Sequence, residues 1–136
     1  MATFNKFNSF VADLADKVHN LGSDTLKIYL SNTAPTASTT YGTRPTEISS
    51  GNGYTTGGNA ITITTNAQVG GVYTLDGNDV TFTASGGAIA TFRYAVLYNS
   101  TASAVIGWYD YGSTVSLADG SSFTIQFNAS GILTIT

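Results

Sequence analysis

The apolar positions of this chain repeat with two different periods, and the change falls near Gly22. At 100° per residue, Phe4, Phe7, Phe10, Val11, Leu14, Val18 and Leu21 lie within about 120° of arc. Asn5, Lys6, Asn8, Ser9, Asp13, Asp16, Lys17, His19 and Asn20 fill the rest. The spacing predicts an amphipathic helix over residues 4–21, with Thr3 as N-cap and Gly22 as a left-handed stop. Asp13 and Lys17 stand as an i,i+4 pair, and Lys17 and His19 suit the negative C-terminal end. Asn, Ser and Phe are mediocre helix formers, so such a helix depends on docking its apolar stripe.

After Gly22 the period becomes two. Leu26, Ile28 and Leu30 alternate with Lys27 and Tyr29, Ile61 and Ile63 with threonines, Val80 and Phe82 with Thr81 and Thr83, and Phe123, Ile125 and Phe127 with Thr124 and Gln126. These read as half-buried antiparallel strands with threonine on the solvent face. Residues 89–98 and 104–111 carry apolar or aromatic side chains on both faces and read as central strands, joined by a hairpin loop at 99–103. Turn signals at Asp76-Gly77, Gly86-Gly87, Asp119-Gly120 and Ser130-Gly131 give about eight or nine strands at the spacing of a sandwich or barrel. The expected fold is a single mainly β domain over residues 1–136: an N-terminal helix within 1–22, then an antiparallel β-sandwich or jelly-roll over 23–136. Residues 31–59 break the pattern. They hold both prolines and the only Glu, and a loop of that length inside a domain is either functional or a covering segment.

Composition narrows the function classes. The chain has 136 residues, no cysteine and a formal charge of −3. The absence of cysteine excludes disulfides, thiolate metal sites and cysteine catalysis. Only Lys6, Lys17, Lys27, Arg44 and Arg93 are basic, and they are scattered, which argues against a nucleic-acid partner. No stretch has the apolar run of a signal peptide or a membrane span, so the protein is expected to be made and kept in a cytosol, with no membrane partner. Charged residues are only 10% of the chain, against 22 Thr, 14 Ser and 10 Asn, so solubility rests on neutral hydroxyls and amides.

Candidate chemistry is sparse. Gly51-x-Gly53 with Gly57-Gly58 resembles a phosphate-cradling loop but lacks the leading strand, following helix and lysine. Asp76, Asn78 and Asp79 offer oxygens for calcium, yet Asp-Gly between strands is a hairpin-turn signal. His19 is the only imidazole and is expected on the solvated polar face, and Glu47 with Asp110 is the one carboxylate pair a glycosidase could use, without supporting spacing. Asn99 and Asn128 open formal glycosylation sequons. Trp108, Tyr109 and Tyr111 form either a sugar-stacking platform or a core or subunit contact, and Trp108 is expected on the face of Ile106. No catalytic residues, metal or cofactor are expected.

Four stretches, FNKFNSFVADLADKVHNLGSDTLKIYLSNTAP, GNGYTTGGNAI, FRYAVLYNSTASAVIGWYDYG and SSFTIQFNASGILTIT, together resemble small structural proteins encoded near the head genes of tailed bacteriophages. The resemblance spans nearly the whole chain and implies a capsid decoration, or cement, protein. That role implies a place on the outer capsid surface of the virion, the major capsid protein as partner, and a homo-oligomer, a trimer in preference to a dimer. Within residues 31–59, Tyr41, Arg44 and Tyr54 are the large side chains of an otherwise small-residue segment and are the expected capsid contact, with Trp108, Tyr109 and Tyr111 as further capsid or subunit contacts. The alternative is a phage tail or adhesin module recognising host surface glycans through its aromatic residues.

Overall fold

The computed structural model describes residues 2–136. Strands hold 47% of the chain and helical turns 8%, so the mainly β, antiparallel class with one helix holds. In chain order the elements are β1 (Phe4–Lys6), α1 (Asn8–Ala15), β2 (Leu26–Ser31), β3 (Asn59–Ala60), β4 (Ile63–Val69), β5 (Val72–Gly77), β6 (Val80–Thr83), β7 (Ile89–Asn99), β8 (Ala104–Leu117), β9 (Ser122–Ile125) and β10 (Leu133–Ile135). They form a five-stranded sheet in the order β1-β8-β7-β2-β3, a three-stranded sheet β10-β5-β4 and a two-stranded sheet β6-β9.

The large sheet is covered on both faces. Leu26, Ile28 and Leu30 of β2, Ala95 and Leu97 of β7, and Ile106 and Tyr109 of β8 join one buried cluster with Leu75 of β5, Phe82 of β6 and Ile125 of β9. All three sheets therefore share a common interior. On the opposite face Tyr29, Val96, Tyr98, Val105 and Phe7 make a second buried cluster. The pairing of β7 with β8 shifts register between Leu97 and Tyr98, which face Gly107 and Val105. One extra residue there inverts the phase of alternation in β8. Hence Val105 and Trp108 belong to one cluster while Ile106 and Tyr109 belong to the other, and Trp108 does not share the face of Ile106 as its spacing predicts.

The N-terminal segment departs most from expectation. The predicted helix over 4–21 is confined to Asn8–Ala15, because residues 4–6 instead form β1 on β8, Phe4 opposite Tyr109 and Lys6 opposite Gly107. Gly107 makes this possible: a Cβ there would lie 2.4 Å from the Phe4 ring and 2.5 Å from the Asn5 carbonyl oxygen. The N-cap is Phe7 rather than Thr3, and it makes no side-chain cap. The C-terminus closes early through Lys17, at φ 66°, with Val18 N–H on the Asp13 carbonyl at 2.8 Å and Lys17 N–H on the Leu14 carbonyl at 3.4 Å. This is a Schellman closure with lysine at the position predicted for Gly22. Phe10 docks into the main interior and Phe7 into the opposite cluster, while Val11 and Val18 remain exposed.

A hairpin that the hydrophobic pattern does not mark joins β4 to β5, closed by Gly70 and Gly71, both at positive φ. Beyond Ile63 all of β4 is exposed, so no alternation announces it. Residues 32–58 carry a 3-10 turn at Tyr41–Thr43 and otherwise run as loop. They are tied to β2 and its neighbours: Tyr29 donates to the Pro45 carbonyl at 2.9 Å, Ser31 Oγ to the Thr46 carbonyl at 2.7 Å, and Ile48 N–H to the Leu30 carbonyl at 3.0 Å.

Gly107→Ala inserts a methyl where Phe4 and the β1 backbone pack, so it should cost about 1–3 kcal/mol and release β1. Denaturant unfolding with amide exchange at Asn5 and Lys6 checks this; unchanged stability would mean that β1 does not depend on the close approach.

Candidate functional site

The six residues singled out by sequence divide into interior and surface. Tyr54 is buried in the main interior; its hydroxyl accepts from Leu30 N–H at 3.1 Å and donates to Glu47 Oε1. Burial, reinforced by the Glu47 hydrogen bond, raises its phenol far above the ordinary range. It pins the loop to β2 and offers nothing to a partner, which removes it from the contact surface. Tyr109 is likewise buried, against Phe4 and Phe127, with its phenol also raised by burial. Tyr111 is half-buried edge-on to Phe123, at 4.9 Å between ring centroids. Trp108, on the other face of the large sheet, packs on Phe7 at 4.7 Å. Trp108 and Tyr109 thus belong to opposite faces, and the three aromatics do not form one sugar-stacking platform.

Tyr41, Arg44 and Trp108 remain: Tyr41 and Trp108 each pack on the outer-face group of the large sheet, Tyr41 against Tyr98 and Trp108 against Phe7, and Arg44 joins only through Tyr41. Both aromatic side chains are half-buried against the Phe7, Tyr29, Val96, Tyr98 and Val105 group. Tyr98 is central: its ring lies 5.5 Å from Tyr29 and 6.4 Å from Tyr41, and its hydroxyl donates to the Gly57 carbonyl at 2.8 Å. The exposed Arg44 folds over Tyr41, its guanidinium carbon 3.9 Å from the ring centroid and its Nη1 donating to the Tyr41 carbonyl at 2.7 Å. A short 3-10 turn fixes this geometry, with Thr40 N–H donating to Thr43 Oγ1 at 3.0 Å. The result is a guanidinium stacked on Tyr41, with Trp108 beside the same buried aromatic base. Tyr29 and Tyr98, which build that base, are absent from the sequence-derived set. Their signal is an aromatic at the otherwise polar slot between Ile28 and Leu30, and the two-faced apolar run over 89–98.

The remaining candidates are engaged structurally. Glu47 also accepts from Gly57 N–H at 2.6 Å, and Asp110 forms a two-point pair with Arg93 at 2.8 and 3.0 Å, which holds its carboxyl below the ordinary value. Asp76 accepts from Gly77 N–H and Asp79 from Phe127 N–H, and no group of three acidic or imidazole side chains converges among the described residues. Gly53 serves close packing, since a Cβ would lie 2.2 Å from the Thr83 carbonyl oxygen. Asn99 is fully buried, so its sequon is inaccessible in the folded chain.

His19 is buried, not solvated as expected from its helical position, because the helix ends before it. Asn99 Oδ1 accepts from Ala102 N–H at 3.0 Å and its Nδ2 faces Asp24 at 2.6 Å and His19 Nδ1 at 3.1 Å. That orientation makes Nδ1 an acceptor and leaves the proton on Nε2. Burial lowers the imidazole pKa, opposed by the charges of Asp13 and Asp24. Comparison with known protein families, curated proteins and solved structures finds no match to this chain.

The His19 shift sets a pH dependence. Its pKa is lower folded than unfolded, so the unfolded chain binds more protons in the window between the folded value and 6.5. Stability should be constant above that window and fall as pH drops through it, before the Asp24 carboxylate, whose pKa is itself depressed, begins to titrate. Urea unfolding from pH 8 to 5 should show this slope in the wild type and a flatter one in His19→Gln; equal slopes would exclude His19 as its source.

Proposed function

We propose that this protein is a capsid decoration, or cement, protein of a tailed bacteriophage, non-enzymatic and without cofactor, that binds the outer face of the assembled shell through the Tyr41, Arg44 and Trp108 patch. The resemblance of the four sequence stretches supports the class. The observation that carries the contact is the patch itself: two half-exposed aromatics and a guanidinium stacked at 3.9 Å, held by a buried aromatic base. Tyr, Trp and Arg are the side chains that dominate binding energy at interfaces, and a patch already ordered loses little conformational entropy on binding.

The partner is the major capsid protein in its assembled form. A site shared by neighbouring capsid subunits exists only after assembly, so binding stabilises that state by mass action. The glycan-binding alternative loses its main support, since Trp108, Tyr109 and Tyr111 do not converge on one groove. With one guanidinium in the patch and a net charge of −3, the contact relies on packing more than on electrostatic steering.

Purified protein added to shells lacking it should bind and raise their resistance to heat, with less than tenfold change in affinity between 50 and 200 mM salt, far less than a phosphate-type contact would show. Tyr41→Ala/Arg44→Ala and Trp108→Ala should each weaken binding by at least tenfold while leaving the fold intact by circular dichroism. Absence of wild-type binding would defeat the decoration role; undiminished binding by both variants would defeat only the patch.

A further inference from the structure

Most sheet edges in this protein are blunted by brevity. β1 and β10 have three residues each, β3 has two, and the four-residue β6 and β9 are joined by hydroxyl pairs, Thr81 to Thr124 at 2.9 Å and Thr83 to Ser122 at 2.7 Å. The outer edge of β8, beyond the three residues that β1 covers, starts at Asp110 and carries two register shifts against β7, and β4 is the other long edge. It is seven residues long, lies at the edge of the three-stranded sheet, and is exposed throughout beyond Ile63. From Ile48 to Leu75 the sequence carries no charged residue, and β4 contains no proline. Its register irregularity lies between Ile63 and Thr65, leaving Thr65–Val69 in regular ladder with β5. None of the backbone hydrogen bonds made outside the sheets, among the described residues, involves Ile63–Val69. Charge, proline, a bulge in mid-strand and short length are the devices that keep an edge from pairing, and the Thr65–Val69 stretch has none of them. Val69, at its end, is 81% exposed.

We propose that β4 is a self-association edge: two copies of this chain pair antiparallel through Thr65–Val69 about a two-fold axis at Ala67, joining their three-stranded sheets into one of six strands. This register centres the regular stretch. It sets Ala67 opposite Ala67 of the second copy, Asn66 opposite Gln68, and Thr65 opposite Val69. Asn66 and Gln68 pair across β5 with Leu75 and Tyr73, so they share one sheet face, and Thr65, Ala67 and Val69 share the other. Asn66, which donates to the Gly22 carbonyl at 3.2 Å, and Gln68, which accepts from Gly71 N–H at 3.0 Å, then face each other through their remaining amide groups on one side, and β-branched Thr65 and Val69 meet on the other. A second copy is the occupant because the stretch is self-complementary about Ala67, and the uncharged edge brings no like charges together although each chain carries −3. The contact is isologous and closes a dimer, unlike the trimer implied by the resemblance. A five-residue strand pair falls below the roughly 1,200 Å² of a standard stable interface, so the dimer forms at high micromolar concentration rather than nanomolar. It does not depend on the capsid role.

The natural absence of cysteine gives a clean test. Opposed Cα atoms in an antiparallel ladder lie about 4.5–5.5 Å apart, inside the roughly 4.4–6.8 Å range of disulfides. At high micromolar concentration and mild oxidation, Ala67→Cys should convert mostly to a disulfide-linked dimer, while Ala12→Cys on the exposed side of α1 should stay monomeric. In sedimentation, Ala67→Lys and Ala67→Glu should each weaken wild-type dimerisation at least tenfold, and mixing the two should restore a heterodimer. The proposal is overturned if Ala67→Cys cross-links no more than Ala12→Cys, if Ala67→Lys associates as the wild type does, or if the wild type forms a trimer that Ala67→Lys leaves intact.

Discussion

Everything in this fold is arranged around a central hairpin, β7 with β8, that is apolar on both faces. A sheet exposed to water on one side needs cover only on the other; a sheet with Ala95, Leu97, Ile106 and Tyr109 inward and Val96, Tyr98 and Val105 outward needs two covers. The two smaller sheets provide the inner one. The outer one is built from Phe7 at the entry to α1 and from the Tyr41 region of the long loop. The extra residue in β8 opposite Leu97 and Tyr98 allows this by sending Trp108 outward and Tyr109 inward. Tyr41 and Trp108 pack on the rim of that outer cover and Arg44 stacks on Tyr41, so the proposed contact residues and the packing of the fold are parts of one structure.

The scarcity of charge shapes the rest. Glu47 holds the Tyr54 hydroxyl and the Gly57 N–H, Asp24 holds Asn99 and Asn20, and Asp79 holds the start of the chain beyond β9 at Phe127. These acidic groups fix loops by accepting hydrogen bonds at short range, which is where a carboxylate is worth more than a neutral acceptor. Hydroxyl pairs between β6 and β9 do the work that ion pairs do on many exposed sheets. The surface left over is sparsely charged, which suits association by packing.

Part of this was legible in the sequence. The runs over 89–98 and 104–111 mark the two-faced hairpin, and Leu26, Ile28 and Leu30 mark an inward row, because burial imposes period two directly. The length of the helix was not legible: Phe4, Phe7 and Phe10, three apart, fit a helix equally well, and the competing strand pairing depends on Gly107, a hundred residues away in effect and invisible to local pattern. The β4–β5 hairpin is not legible, because a strand exposed on both faces has no hydrophobic alternation to read, leaving only Gly70-Gly71 as its signal. Tyr41 and Tyr54 look alike in sequence; only the Leu30 N–H that donates to the Tyr54 hydroxyl and the Glu47 carboxylate that accepts from it separate the buried one from the displayed one. The side on which Trp108 emerges follows from a bulge that no residue type at that position announces.

A decoration protein is a component of the head and of nothing else in the particle. On the proposed role the chain is encoded by a tailed phage, and quantitative mass spectrometry of heads and tails separated from that phage reads its location without perturbing the protein. Recovery in the head fraction, in a fixed ratio to the major capsid protein and lost when the shell surface is stripped, is the predicted result. Recovery in the tail fraction, or in neither, would contradict a role on the capsid.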